Sequence, residues 1–370
     1  MNITQRMHCV IDHENTIESL YSFKDFPIKI TCTDNLDPKT DQLADMNWGV
    51  SEKGHIQLID LLDPDIIYAN YHTTGLVGNI WKEHHKKLFE FINKNSYSNI
   101  LEIGGASGLL AEHFCQTDQA FTWSIVEPSL KTSLSDYRVK LINGYFEDYN
   151  FDQKFDAIVH SHCIEHTYNP IKFLNKINEL LDYDDCQYIS IPNMRYWLEN
   201  NFTNTLSFEH TFYIDELVLE YMLNKTGFTV VEKVVENHSI FVKAVKEKDV
   251  LIRNTDFTYI KDLFIKYIHN LTDDVTVTSN KVKDQEFYLF GAHMFSLVLL
   301  NLGLDSTHLI GILDNDRQKQ DKRMYGTPYL VKSPECLIGL DSPIVVLRGG
   351  VYNEEIKQSI LKVNSTTVFV

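Results

Sequence analysis

The middle of the chain alternates short apolar runs with amphipathic segments, and this alternation restricts the fold more than any other feature. Runs of strand character lie at residues 99–104, 122–127, 140–145, 156–161 and 187–192. Segments with helical periodicity, residues 109–114 and 171–181, lie between them. Such alternation is typical of an α/β fold with a parallel sheet. A predicted helix at 214–226, followed by adjacent strands at 228–235 and 240–245, indicates a hairpin that closes this sheet.

The C-terminal part repeats the same scheme on a smaller scale. Strand-like runs at 287–291, 308–313 and 343–347 and an amphipathic segment at 294–302 predict a second α/β unit. A helical connector at 254–270, followed by a polar stretch, precedes it. The first 75 residues are rich in turns and weakly periodic. We therefore expect a small irregular N-terminal domain (1–75), a Rossmann-like central domain with a seven-stranded sheet (76–248), a connector (249–284) and a C-terminal domain (285–370).

Charge and composition exclude several classes of protein. Thirty-four Lys and Arg residues stand against 51 Asp and Glu, a formal net charge of −17 without a long basic run. A protein that binds nucleic acid needs concentrated positive charge, so we expect no such partner. The six cysteines form no CxxC pair, and the longest apolar stretch, 294–304, is too short to span a bilayer. The N-terminus lacks the pattern of a signal peptide, and we expect a cytoplasmic protein.

A glycine-rich segment, LEIGGASG at residues 101–108, stands between a predicted strand and a predicted helix. Glycines there permit a tight turn and close approach of a ligand to the backbone, and the helix that follows presents its first N–H groups. The next strand ends in Glu127, where a carboxylate can accept hydrogen bonds from two ribose hydroxyls. The candidate cofactor-binding residues of the loop are Gly104, Gly105, Ala106, Ser107 and Gly108.

The spacing of this loop favours one nucleotide cofactor over another. The segment is not GxGxxG, and Glu102 precedes the first glycine by two positions. A carboxylate at that point suits a positively charged group. S-adenosylmethionine supplies one in its sulfonium and amino groups, whereas the pyrophosphate of a nicotinamide cofactor does not. A glycine turn without a ligand is the alternative.

Three segments resemble motifs of class I S-adenosylmethionine-dependent methyltransferases: LEIGGASG, IVEPS at 125–129, and AIVHSHCIEHTYNP from residue 157. The layout of the whole chain is similar to the three-domain sugar C-methyltransferase family, whose members methylate nucleotide-linked ketosugars. Residues 68–75, with Trp81 and His84, loosely resemble its YxYxSSxS-like loop. The C-terminal segments follow the family's order: FGA at 290–292, ILDNDRQKQ at 312–320, GTP at 326–328 and SPE at 333–335.

The sequence departs from that family at its zinc site. Family members hold an N-terminal zinc ion with two CxxC pairs, whose counterparts here are CVID at residues 9–12 and VSEK at 50–53. One thiolate of four remains, and a lysine stands at a ligand position. Because structural zinc normally has four Cys or His ligands, we expect no zinc and no other metal site. His8, His13 and His55 as replacement ligands are the alternative.

A second departure concerns catalysis. The family carries a Tyr-His-Glu-His-like element whose tyrosine and final histidine are proposed acid and base, and the element reads Ser207-Phe208-Glu209-His210 here. Histidine titrates near neutral pH, so His210 is the candidate base, with Glu209 orienting it or binding substrate. A structural role for His210 beneath the following helix is the alternative.

The resemblance implies further site residues. His166 aligns with a histidine that faces the substrate in the family, and Tyr71 with a tyrosine thought to close over the cofactor. His160 and His162 end the fourth predicted strand beside the expected cofactor pocket, and Pro128 follows Glu127 in the IVEPS motif. Phe146 is a candidate for stacking on adenine, and Glu147 or Asp148 for its amino group; a surface turn is the alternative.

Together these features predict a methyltransferase that acts on a nucleotide-linked sugar in surface-glycan or deoxysugar biosynthesis, as a monomer or homodimer. Methylation of carbon follows from the layout, whereas the altered motif favours oxygen, because loss of the tyrosine removes a group that stabilises an enolate. A non-catalytic family member with a binding role is the alternative. A nucleotide-sugar reductase or dehydratase is a third hypothesis, disfavoured by the lack of GxGxxG and YxxxK motifs.

Overall fold

The computed structural model describes residues 3–67, 79–130, 132 and 134–370. The N-terminal segment is mainly β-structure, in contrast to the irregular domain expected. Its long strands carry bulges, and Asp25 takes a left-handed φ of 47° within one of them. These breaks interrupt the alternation that identifies strands in a sequence. The elements are β1 (Ile3–Gln5), β2 (Ile17–Pro27), β3 (Cys32–Thr33), β4 (Leu43–Ser51), β5 (Ile56–Leu58), β6 (Asp60–Leu62) and α1 (Pro64–Ile67).

The two turns that would carry the zinc ligands are joined by other interactions. Asp12 and Lys53, which stand at ligand positions of the resembled family, lie 3.8 Å apart as an ion pair. Cys9 Sγ lies 3.8 Å from His55 Nδ1, and His55 Nε2 bonds the backbone oxygen of Tyr213 at 3.0 Å. Within the described part of the chain, the groups with metal-ligand geometry do not include these residues. A polar network therefore connects the turns.

The central part of the chain forms the predicted Rossmann-like sheet. In the described residues it has seven strands in the order β12-β13-β11-β10-β7-β8-β9. Strands β7 to β11 run parallel, and β12 and β13 form the antiparallel hairpin at one edge. The elements are α2 (Asn79–Ile92), β7 (Asn99–Ile103), α3 (Leu109–Cys115), β8 (Thr122–Glu127), β9 (Val139–Asn143), β10 (Phe155–Ser161), α4 (Pro170–Leu180), β11 (Leu181–Pro192), α5 (Met194–Glu199), α6 (Glu216–Lys225), β12 (Phe228–Val235) and β13 (Ser239–Lys246).

Local sequence signals set the boundaries of the helices that cover this sheet. Asn169 caps α4 by accepting the N–H of Lys172, and Pro170 occupies the first turn, where its missing N–H costs nothing. Asp215 caps α6 through the N–H groups of Leu217 and Val218. These caps place the helices in register with the sheet, so that their apolar faces bury against it.

The helix of the connector extends further than the predicted 254–270, because α7 (Thr258–Val282) runs through the stretch that was expected to be polar and non-helical. Leu271, Val275, Thr278 and Val282 are buried along one side. Their spacing of four, three and four residues is that of a single helix face. The second half of α7 needs few apolar residues, because only this face is buried and the rest of each turn faces solvent.

The C-terminal segment forms a five-stranded parallel sheet in the described residues, in the order β17-β15-β14-β18-β19. The expected α/β architecture is therefore present at both ends of α7. The elements are β14 (Phe287–Phe290), α8 (Met294–Asn301), β15 (Leu309–Leu313), β16 (Arg323–Met324), β17 (Val331–Lys332), β18 (Ile344–Leu347), α9 (Asn353–Val363) and β19 (Val368–Phe369). Among the described helices, none has the length and apolarity that a membrane span requires.

The N-terminal and C-terminal segments are joined by a small sheet and a buried ion pair. Strand β3 pairs antiparallel with β16. Arg323, whose side chain is 1% exposed, reaches Asp41 at 2.6 Å, and Asp41 also accepts the N–H of Gly326. A buried pair of this kind is costly to break, because the charge left behind remains unpaired in an apolar region.

We expect Asp41→Asn to lower the free energy of unfolding by about 3–5 kcal/mol, the cost of breaking a buried pair. Urea denaturation followed by circular dichroism measures it. The matched control is Asp45→Asn at the exposed Lys24–Asp45 pair, which should cost less than about 1 kcal/mol. Equal effects of the two variants would show that Arg323 and Asp41 do not hold the segments together.

Candidate active site

The glycine loop between β7 and α3 has the shape that the sequence predicts. Gly104 and Gly108 have φ values of 74° and 77°, which favour glycine, and Ala106 is left-handed at 43°. A Cβ placed on Gly105 would lie 2.7 Å from Ile125 Cγ2, so a side chain does not fit there. The loop is thus a close cradle of backbone.

Glu127 at the end of β8 faces this cradle. One carboxylate oxygen accepts the N–H of Ala106 at 3.3 Å and the other accepts the N–H of Ser129 at 2.8 Å. Ser107 remains partly exposed in the loop and Pro128 is exposed beside it. The carboxylate and the loop N–H groups therefore converge on one place at the carboxyl edge of the sheet.

Glu102 lies below the loop, where the sequence analysis expected a partner of positive charge. Its carboxyl group accepts a hydrogen bond from Trp123 Nε1 at 2.7 Å and lies close under Gly105. Burial raises the pKa of Glu102 to about 8. In this structure Glu102 supports the loop as a neutral acid.

The residues expected at the adenine pocket are arranged differently. Phe146 is buried and packs edge-on against Phe173 at 5.2 Å, with Phe151 on another side. Lys176 bonds the backbone oxygens of both Phe146 and Glu147. Phe146 therefore belongs to the core, which does not favour stacking on a ligand, while Glu147 is exposed.

The two histidines at the end of β10 diverge although residues two apart on a strand share a face, because His162 lies beyond the end of the strand, where the backbone turns. His160 is fully buried beside Phe173 and bonds Gln187 Oε1 at 3.2 Å, away from the expected pocket. His162 follows the strand with a left-handed φ of 48° and bonds Ser239 Oγ at 2.9 Å. The placement expected for His160 was wrong; His162 lies at the carboxyl edge.

The predicted catalytic residues come together from distant parts of the chain. The rings of His166 and His210 are 5.3 Å apart. His166 Nδ1 bonds the backbone oxygen of Glu209 at 2.9 Å, and His210 Nδ1 bonds that of Thr205 at 2.8 Å. A carbonyl oxygen only accepts, so each Nδ1 carries the proton and each Nε2 carries a lone pair. Burial lowers the pKa of His210 and raises that of Glu209 to about 7.

The two altered motif positions have structural roles. Ser207 Oγ accepts the N–H groups of Glu209 at 3.2 Å and His210 at 3.1 Å, and so fixes this turn. Phe208 is buried, with its ring 6.3 Å from that of Phe26 in the N-terminal segment. The replacements therefore anchor the turn that carries His210.

Glu165 is a site residue that the sequence analysis did not select, although it stands beside His166. It is fully buried, and neither carboxylate oxygen has a hydrogen-bond partner among the described residues. One oxygen lies 3.6 Å from His162 Nδ1 and 3.8 Å from His166 Nε2. Burial raises the pKa of Glu165 to about 8. This turn abuts the glycine loop, since a Cβ on Gly104 would lie 3.4 Å from Cys163 Sγ.

A group of rings next to this turn was also missed as a site. Trp81 on α2 packs against His162 at 5.0 Å and against His238 at 4.8 Å, with His84 beside them. Burial lowers the pKa of each of these histidines, that of His238 to about 4. They are therefore neutral at physiological pH. Tyr71, predicted nearby, lies outside the described residues.

A cavity of about 850 Å³ opens beside this group. Helix α2, the turn between β12 and β13, and the loop before α9 in the C-terminal segment all contribute to its wall. The lining includes His84, Lys87, Tyr196, His238 and Gly350. The size is in the range of small-molecule sites.

Comparisons with known proteins agree with this geometry. Residues 79–233 match the family described as "Methyltransferase domain". No curated protein matches the chain.

Solved structures that resemble the chain include the N-methyltransferase NodS from Bradyrhizobium japonicum WM9, with 13% identity over 46% of this chain and 99% of that one and a TM-score of 0.36. A second is the 1,6-didemethyltoxoflavin-N1-methyltransferase of Burkholderia thailandensis, with 16% identity over 46% of this chain and 82% of that one and a TM-score of 0.36. Residues 79–233, which carry both the glycine loop and Glu127, are therefore similar to a methyltransferase domain.

Proposed function

We propose that this chain transfers a methyl group from S-adenosylmethionine to carbon or oxygen of a nucleotide-linked sugar. The observation that carries the proposal is the backbone cradle at Gly104–Gly108, which faces the Glu127 carboxylate and abuts the turn with His166. When bound, S-adenosylmethionine supplies a methyl group on a positively charged sulfur. Glu127 supports this cofactor, because it presents a carboxylate for ribose hydroxyls beside the loop.

His210 is the proposed base. Its Nε2 carries a lone pair, because Nδ1 donates to Thr205, and burial keeps the ring neutral. The proton of the acceptor O–H or C–H would pass to Nε2, and the acceptor atom would take the methyl group as the sulfur–methyl bond breaks, so that a neutral thioether leaves. Glu209, with its pKa raised to about 7, is a second group able to exchange protons near neutral pH.

The sugar acceptor rests on the resemblance of the whole chain and on the cavity. The cavity is much larger than a methyl group, so it has room for a large acceptor molecule. The C-terminal segment contributes Gly350 and Val351 to its wall. A net charge of −17 provides no general attraction for an anionic nucleotide, so loop N–H groups and local cations such as Lys87 must hold it. A screen of nucleotide-linked sugars, with mass detection of one added methylene, tests this assignment.

The alternative is a non-catalytic chain that binds the cofactor or a partner. Binding of S-adenosylmethionine without methylation of any acceptor in the screen favours it. The replacement of the tyrosine position by Ser207 is the specific observation behind it, because Ser207 Oγ is engaged with backbone N–H groups.

We expect Glu127→Gln to weaken binding of S-adenosylmethionine about ten- to a hundredfold. A hydrogen bond to a charged group contributes about 1.5–3 kcal/mol, and the amide keeps the shape but not the charge. Isothermal titration calorimetry measures the change. Glu90→Gln, at an exposed position of α2, is the matched control and should bind as the parent does. Unchanged affinity in Glu127→Gln contradicts the ribose assignment.

We expect His210→Asn to lower kcat by about 10²–10⁴, the usual contribution of a general base, with the affinity for S-adenosylmethionine unchanged. The asparagine amide can still donate to Thr205, so the variant removes Nε2 alone. In the parent, activity falls as pH drops through the pKa of His210, which lies below 6.5. The pH profile of kcat therefore has an acid limb below 6.5 that the variant lacks. A limb centred near 7, abolished by Glu209→Gln, would assign the base role to Glu209.

A further inference from the structure

Three histidines from separate elements point one nitrogen each at a common place. His84 lies on α2, His162 follows β10, and His238 lies in the turn before β13. Their nearest ring nitrogens all lie within 4.8 Å of one another. The point between them is held by the hydroxyl of Ser239, which lies 3.1 Å from His84 Nδ1, 2.9 Å from His162 Nε2 and 2.6 Å from His238 Nδ1.

The opposite nitrogens of two of these rings have hydrogen-bond partners. Such outward partners fix the tautomer and orientation of a histidine, as they do around metal ions. Ser161 Oγ lies 3.0 Å from His84 Nε2, and Tyr352 OH lies 3.4 Å from His238 Nε2. Glu165 Oε1 lies beside the third ring, 3.6 Å from His162 Nδ1, which is too long for a hydrogen bond.

The buried carboxylate of Glu165 lies beside one of the three rings. A fully buried carboxylate without a hydrogen-bond partner is costly. A carboxylate that accepts from the outward N–H of a histidine stabilises that ring when it binds a cation.

We propose that His84, His162 and His238 bind one divalent transition-metal ion of the zinc class at the centre of the three rings, with the Ser239 hydroxyl turned away from that point. Neutral imidazole is the ligand that zinc and its neighbours prefer, whereas magnesium and calcium prefer oxygen. Three protein ligands leave a fourth position for an exchangeable oxygen, as in catalytic zinc sites. His84, His238 and Ser239 line the 850 Å³ cavity, so that position opens toward it.

This proposal departs from the expectation that the chain has no metal site, an expectation that rested on the lost cysteines of the N-terminal segment. The proposed site lies at the carboxyl edge of the central sheet, in the methyltransferase domain. The oxygen that completes the site would belong to the methyl acceptor, a role that rests on the proposed function. Binding of the ion does not depend on it.

The test uses the full chain, stripped with a chelator and dialysed. We expect calorimetry with Zn²⁺ to give one ion per chain, and Co²⁺ to give the visible absorption bands of a tetrahedral nitrogen site. His238→Ala should abolish both signals. Glu165→Gln should weaken Zn²⁺ binding about ten- to a hundredfold, as is typical for outer partners of metal ligands.

The matched control is His269→Ala, an exposed histidine on α7 beside Asp273, which should bind Zn²⁺ as the parent does. Circular dichroism and titration with S-adenosylmethionine show whether each variant is folded. Absence of Zn²⁺ binding in the parent overturns the proposal, as does binding that a folded His238→Ala leaves unchanged. Because S-adenosylmethionine is titrated separately, failure of the metal site and failure of the proposed function give different results.

Discussion

The pairing of β7 with β10 fixes the relative positions of the loops that form the site. The chain lays down β7, β8 and β9 in one direction and then returns to place β10 against the other side of β7. Where the connections that follow two adjacent parallel strands run in opposite directions, a crevice opens at the carboxyl ends of those strands. The glycine loop after β7 and the turn after β10 therefore meet, with Gly104 against Cys163. Cofactor cradle and proposed proton acceptor are neighbours because of this one pairing.

The segments outside the central sheet supply the remaining walls. The turn that carries His210 is anchored on the N-terminal segment through Phe208 and Phe26. The loop before α9 closes the cavity, and Arg323 ties its domain to Asp41. In the resembled family a zinc ion stabilises the N-terminal domain. Here the Asp12–Lys53 pair joins the same turns to each other, and the bond from His55 to Tyr213 joins them to the central domain.

Sequence patterns predicted the central sheet well, because most of its strands contain a short apolar run bounded by polar residues. Strand β11 (Leu181–Pro192) begins before its predicted run at 187–192, because its first residues are mostly polar. The predicted strand at 122–127 matches β8 residue for residue. The bulged strand β2 and the polar second half of α7 were not predicted, since both break the simple periodicities of two and 3.6 residues. The loop glycines and Glu127 were found from local spacing. The grouping of His84 with His238 was not predicted, because the two residues are 154 positions apart and only the hairpin β12–β13 brings them together.

The charge state of the site follows from its burial. Glu102, Glu165 and Glu209 have raised pKa values, and His84, His162, His210 and His238 have lowered ones, because low dielectric disfavours the charged form of either type. Burial thus lowers the charge of these side chains near neutral pH, while the Lys87–Glu236 ion pair lines the adjoining cavity. A cation that enters the pocket meets acids that can release protons and become its counter-ions. The sulfonium of the cofactor and a divalent ion both satisfy this condition, so the same burial that neutralises these side chains prepares the pocket for positively charged ligands.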